Sequence, residues 1–360
     1  MNILLVTMEM NIGGAETHVL ELALSLKAHG NNVYVVSSGG TLTLELEKNG
    51  VKHIYAPLKD KKPSHMIESI RTIRKLVEEY QIDVVHAHAR IPGFICGIVC
   101  RQTHTHFVTT IHGIYRVNFL LKLLTNWGEK TLAVSKDIKE YAIREYHLKP
   151  ENVFLTINGI NTEKFRKKDA VVEDVRFNPS KFKIMHVSRL DKESAEVAEA
   201  LMDIVDDLND QIPEGVQLII VGSGNHYEEL IKKSVGKGNI ILTGARTDVD
   251  LLLNHADMFV GVSRAALEAM ASELPVILAG NSSYGQGYQG IFEKDMLELS
   301  QNTNFTCRDL EKLSLEKLKQ DIIKLRQEKT EEMGKYNRKI VEESYSIEKM
   351  TQDALGIYEG

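Results

Sequence analysis

The residues best equipped for chemistry stand where short apolar runs stop. Gly13 and Gly14 follow NILLVT and precede a helical pattern. Glycine lets backbone amides come close to a phosphate or a sugar, and the positive end of a following helix favours an anion. A simple tight turn accounts for the pair equally well. His86 and His88 close the run IDVVHAH, and His112 closes HFVTTIHG. His86 and His88 are a conceivable zinc pair, but no third ligand accompanies them in the pattern, so no metal site is expected. His112, backed by Gly113, is better placed to hydrogen bond a ligand, although a histidine of this kind is more often a structural donor than a catalyst.

The second half offers cations. Arg189 follows KIMHVS, with Lys192 shortly after it. Positive charge there can hold a diphosphate and stabilise it as it leaves; an ion pair with Asp191 or Glu193 is the competing reading. In VGSGNHYEEL, Gly222 and Gly224 match the first two glycines of a dinucleotide fingerprint, but Tyr227 stands at the third. The first half has no such motif, which argues against an NAD enzyme and leaves a turn for a mononucleotide open. Asp248 and Asp250 have the spacing some transferases use for a metal. They open a helix after Gly244, so N-capping is the expected role. Finally, GVSRAALEAMASELPVILAG runs from Gly261 to Gly280 as turn, helix and strand. Glu268 sits in it among alanines, and its partner is the open question.

Alternating elements must position these residues. NILLVT, NVYVVSS, IDVVHAH, HFVTTIHG and TLAVS are strand-like, and THVLELALSLKAHG and HMIESIRTIRKLVEEY are helix-like. In the second of those helices Ile67, Ile70, Ile73 and Val77 fall on one face. After NGINTEKFRKK and a polar connection from Asp169 to Pro179 the alternation starts afresh, and from about Ser314 the chain reads as helical to its end. The β-α order predicts two doubly wound parallel sheets of Rossmann type facing a cleft, with ligands at the strand ends.

Composition narrows the class. The 360 residues are 43% hydrophobic and 26% charged, and no apolar run approaches a membrane span. MNILLVTMEM has no basic flank or cleavage site and reads as a first strand, and only three cysteines occur. Cys96 and Cys100 read as core packing, which together predicts a cytoplasmic protein. The net charge of −6 divides unevenly: up to Phe165 there are 19 Lys and Arg against 16 Asp and Glu, and beyond it 25 against 34. A mildly basic half suits an anionic partner or membrane surface, or is a solvated face without meaning. Nothing points to nucleic acid.

Taken in order, NIGGAETHVLELA, DVVHAH with TTIHG, AVSKDIKEYA, INGINTEKF, VSRLDKE, IIVGSG, NIILTGARTD and LEAMASELPVI resemble the family 4 glycosyltransferases, of two-domain GT-B fold. The likeness runs along almost the whole chain. It implies an acceptor-side domain over 1–168, a nucleotide-sugar domain over 180–340, and a C-terminal helix over 341–360 packing back on the first. It implies retaining, metal-independent transfer of a sugar from a nucleotide diphosphate, UDP- or GDP-linked, without cofactor. The acceptor implied is a cell-surface polysaccharide, glycolipid or lipid-linked glycan, reached by peripheral contact with the inner membrane face. Carried over by motif, Gly14 faces the donor diphosphate or the acceptor, and His112 reaches the transferred sugar. Arg189 binds the diphosphate, Gly222 lies under the nucleotide, Ala245 and Arg246 meet the base through the backbone, and Glu268 holds the ribose hydroxyls.

Three departures stand against this. The family's second glutamate, eight positions before Glu268, falls on Val260, and its loop is shortened to Gly261-Val262-Ser263-Arg264. The amides of Ser263, Arg264, Ala265 and Ala266, with the Arg264 side chain, are left to bind phosphate. The family's lysine falls on Ser194, so Lys192 has to replace it, and Glu273 replaces a glycine. A non-catalytic GT-B protein that binds a nucleotide sugar or a partner transferase is therefore the alternative. NSSYGQGYQGIF reads as a mobile loop over the donor or an exposed turn. IYRVNFLLKLLTNW reads as a core helix or a lipid contact.

Overall fold

The computed structural model describes residues 1–115, 117–328 and 330–360, and the chain forms two compact units. The first comprises Met1–Gly159 and Ile347–Gly360, the second Ile160–Ser346. No helix of the described residues is long and apolar enough to cross a membrane.

In the first unit the strands are β1 (Asn2–Val6), β2 (Asn32–Ser37), β3 (Lys52–Tyr55), β4 (Val84–Ala87), β5 (His106–Ile111), β6 (Lys130–Ala133) and β7 (Val153–Leu155). They pair in the order β3-β2-β1-β4-β5-β6-β7, all parallel. The helices α1 (Gly14–Ala28), α2 (Thr43–Lys48), α3 (Pro63–Glu79), α4 (Arg90–Thr103), α5 (Phe119–Leu124) and α6 (Lys136–Tyr146) are the crossovers between them. Period-two alternation sorts β1 between two cores. Ile3 and Leu5 pack with Val19 and Leu22 of α1, while Leu4 and Val6 pack with Ile73 and Val77 of α3 and with Ile95, Cys96 and Val99 of α4. Ile70 packs against that second core, but Ile67 is 49% exposed, so the apolar face of α3 is shorter than its periodicity predicts.

The second unit contains β8 (Phe182–Val187), β9 (Val216–Val221), β10 (Ile240–Leu242), β11 (Met258–Gly261), β12 (Val276–Ala279) and β13 (Tyr288–Ile291). Their order is β10-β9-β8-β11-β12-β13, parallel except for β13 against β12. Its helices are α7 (Glu196–Gln211), α8 (Tyr227–Ser234), α9 (Val249–Leu253), α10 (Ser263–Ala271), α11 (Leu297–Asn302), α12 (Leu315–Gln327) and α13 (Thr330–Ser344). The last helix, α14 (Ile347–Tyr358), belongs to the first unit, where Met350, Ala354, Ile357 and Tyr358 join the core of Ile3 and Leu5.

The stretch NSSYGQGYQGIF is not one loop. Ser282–Tyr284 form a short 3-10 turn, held where Glu196 Oε2 accepts from the Ser282 amide at 2.6 Å and hydroxyl at 2.7 Å, and Tyr288–Ile291 are the edge strand β13. In IYRVNFLLKLLTNW, Asn118 caps α5 by accepting from the Leu121 amide, and Trp127 is buried. Arg116 and the side chains of Phe119, Leu120 and Leu123, on which a core or lipid role turns, lie outside the described residues.

Candidate active site

Each sheet reverses its strand order at one place, between β1 and β4 in the first unit and between β8 and β11 in the second. Ligands of open α/β sheets bind at such switch points, outside the carboxyl ends of the strands. The loops there carry the residues singled out above.

In the first unit, four imidazoles gather. His86 faces inward, with Nδ1 2.6 Å from the Tyr358 hydroxyl and Nε2 2.7 Å from the Thr110 hydroxyl. His88 Nδ1 lies 3.2 Å from His112 Nε2, and the two rings stack. His18, from α1, sets its ring edge-on to His112 at 4.7 Å between centroids. Burial holds all three strand-end rings neutral: His86 falls to about 3 and His112 to about 4, and His88 is pushed well below the ordinary range. A neutral imidazole both donates and accepts, which suits a sugar hydroxyl. The pattern of adjacent histidines did not reveal His18, because its helix lies far from them in sequence. Gly14 opens α1, and a Cβ there would meet nothing within 4 Å. Neither backbone nor packing requires a glycine at this point.

In the second unit, Arg189 and Lys192 are exposed, and among the described residues neither side chain has a hydrogen-bonding or ionic partner. The competing ion pair with Asp191 does not form; Asp191 Oδ1 accepts from the Asn225 amide at 2.8 Å instead. Ser194, at the family's lysine position, is buried, with its hydroxyl 3.2 Å from the Asp191 amide, inside the turn that enters α7. Gly222 follows β9 at φ +143°, where a Cβ would overlap the Ser188 carbonyl oxygen. Here glycine is obligatory. Ser188 also lies 2.8 Å from Nε2 of buried His186, whose Nδ1 is 2.8 Å from the carbonyl of Val260. Burial lowers His186 to about 4. This link between the Arg189 and Ser263 loops carried no sequence signal beyond a histidine inside a strand.

The helix α10 opens from an unusual backbone. Ser263 has φ +57°, and its amide donates to the Phe305 carbonyl at 2.7 Å, so this amide is already engaged. The Ala266 amide turns to the Val262 carbonyl at 3.4 Å, so two of the four amides expected to bind phosphate are already engaged. Arg264 does not face outward but pairs with Glu268 at 2.9 Å. Arg246 is clamped by Asp248 and, in a contact with Nη1 and at 3.0 Å with Nη2, by Asp174. N-capping by the Asp248 side chain is thus corrected: at the start of α9 it makes no cap bond, because the guanidinium takes the carboxylate. Asp250 pairs with Lys168 at 2.7 Å, so the two aspartates do not converge. Ala245 is exposed beside the clamp.

Residues 12–164 match the model of Glycosyltransferase Family 4, and residues 181–296 that of Glycosyl transferases group 1. The chain belongs to glycosyltransferase family 4, with the GT-B fold. It is 26% identical over 267 residues, covering 66% of this chain and 68% of the relative, to the UDP-Gal:alpha-D-GlcNAc-diphosphoundecaprenol alpha-1,3-galactosyltransferase of Escherichia coli. In fold it is similar to a glycosyltransferase from Rickettsia africae, with a TM-score of 0.76 at 21% identity over 99% of this chain and 98% of that one. It is also similar to Anabaena Alr3699/HepE in complex with UDP-glucose, with a TM-score of 0.75 at 17% identity over the full length of both.

Proposed function

We propose that the chain transfers a sugar, with retention, from a UDP-sugar to a lipid-linked or cell-surface glycan acceptor. The observation that carries this is the pair Arg189 and Lys192, exposed and unpaired among the described residues, at the carboxyl end of β8 beside the obligatory Gly222. Two cations without partners among the described residues suit a diphosphate that gains charge as the glycosidic bond breaks, and they do so without a metal. In the first unit, His112 offers a neutral imidazole to a sugar hydroxyl, and Gly14 leaves open space at the start of α1. The choice of UDP follows the Anabaena complex, and the choice of a lipid-linked acceptor follows the name of the Escherichia coli relative. A peripheral position at the inner membrane face goes with such an acceptor.

The test is thermal stabilisation by UDP, GDP and their sugar conjugates, followed by transfer to a polyprenyl-diphosphate glycan. At about 100 times its dissociation constant a ligand adds roughly 2.7 kcal/mol. Stabilisation by UDP, and transfer that Arg189→Ala abolishes while the fold remains, is the expected result. Transfer that survives Arg189→Ala rejects the assignment.

A second reading has its own observation. Ser194 is buried in a turn and Val260 is buried in β11, so neither position can present a side chain to a donor. A chain that binds a nucleotide sugar without turning it over fits this, and turnover of any donor by the purified chain eliminates it.

A further inference from the structure

We propose that His18, His88 and His112 form a binding site for a divalent transition-metal ion of the zinc type, separate from the diphosphate cations. One ring nitrogen from each lies within 4.8 Å of the others, and His18 and His88 are buried. Zinc–imidazole bonds of about 2.0–2.1 Å place tetrahedral ligand nitrogens roughly 3.4 Å apart. The 3.2 Å between His88 Nδ1 and His112 Nε2 already meets that spacing, and His18 has under 1.5 Å to close.

Hydrogen bonding prepares the lone pairs. The Asn158 side-chain oxygen, 3.2 Å from His18 Nδ1, can only accept, so His18 carries its proton on Nδ1 and keeps a lone pair on Nε2. Fixing a ligand's tautomer through its other nitrogen is the role of the oxygen behind a metal-bound histidine. His88 Nε2 is buried and has no hydrogen-bond partner among the described residues. An ion on His88 leaves the proton on this Nε2, so the ligand atom is Nδ1, the nitrogen that faces His112. His86 takes no part, because Tyr358 and Thr110 hold both its nitrogens. Three imidazoles with no carboxylate or thiolate select zinc, copper or nickel over magnesium or calcium. Three protein ligands leave the ion a further position open to solvent. An ion there takes His112 from the sugar, so zinc inhibits transfer; that consequence rests on the proposed function, and the binding itself does not.

The test is titration of the chelator-treated full chain with Co²⁺ at neutral pH, read by visible absorption, with Zn²⁺ as competitor. The expected result is one cobalt per chain in the intense bands of a four-coordinate ion, displaced by zinc. His18→Gln and His88→Gln each remove the bands with circular dichroism unchanged, and either variant suffices if the other does not fold. Asn158→Ala weakens binding roughly 10–100-fold, and His104→Ala, at an exposed histidine, has no effect. A wild-type chain without the bands overturns the proposal, and so do bands that survive both ligand substitutions.

Discussion

Arg264 Nε donates to Glu268 Oε1 at 2.9 Å across one turn of α10, and both side chains are buried. The carboxylate that looked solitary in sequence has its partner on its own helix. Removing one member of such a pair leaves a buried charge uncompensated, at a cost of about 3–5 kcal/mol, whereas removing both with apolar replacements is close to neutral. Glu268→Leu and Arg264→Met should each lower the urea midpoint strongly, and the double variant should recover most of the loss. Additive losses in the double-mutant cycle would show that the pair is not coupled.

Glu273 follows α10 at φ +63°, the left-handed residue that ends a helix, with its own amide donating back to the Met270 carbonyl and the Leu274 amide to the Ala269 carbonyl. A side chain costs about 1–2 kcal/mol there, partly offset by the greater freedom of an unfolded glycine. Glu273→Gly should therefore stabilise the chain by about 0.5–1 kcal/mol in urea denaturation. Gly334 of α13 packs on the same turn, where a Cβ would overlap the Glu273 carbonyl, so Gly334→Ala should destabilise by about 1–3 kcal/mol.

Gly14 and Gly222 should respond in opposite ways. Gly14→Ala puts a methyl group into open space at the start of a helix, so stability should stay within about 0.5 kcal/mol while ligand binding weakens. Gly222→Ala forces a side chain at φ +143° into the Ser188 carbonyl and should unfold at markedly lower urea. Calorimetric binding of UDP beside each denaturation curve checks both; unchanged binding by Gly14→Ala would leave that glycine a mere turn.

Three buried histidines make the fold acid-sensitive. His86, His112 and His186 have folded values of about 3, 4 and 4, below the unfolded value near 6.5. Between those values the unfolded chain binds protons that the folded chain refuses, so stability is full above about pH 6.5 and falls as pH drops toward 4. Each contributes at most about 1.4 kcal/mol per pH unit in that window. Urea midpoints at neutral and mildly acid pH should show the fall, and His186→Gln should flatten it. A midpoint constant across that range would mean that the folded chain takes up these protons as readily as the unfolded one.

The strand-helix alternation, the two sheets, the glycine turn after β9 and the family were legible in the sequence, because each rests on local periodicity or on residues adjacent in the chain. The edge strands β3, β7 and β13 were not, since short half-exposed strands carry little alternation. Arg189 and Lys192 could be named from sequence, but whether Asp191 neutralises them depended on where the Asn225 amide lies, and that is decided across two strands. The same holds for Arg264, read as a phosphate ligand until the helix turned it onto Glu268, and for Asp248, drawn from its cap by Arg246. His18 joins His88 and His112 only when α1 packs on the sheet that carries them. The sequence by itself determined which chemical groups stand at the strand ends. The pairing of those groups was decided by the tertiary structure alone, because hydrogen bonds and ion pairs act over a few ångströms of space, whatever the separation along the chain.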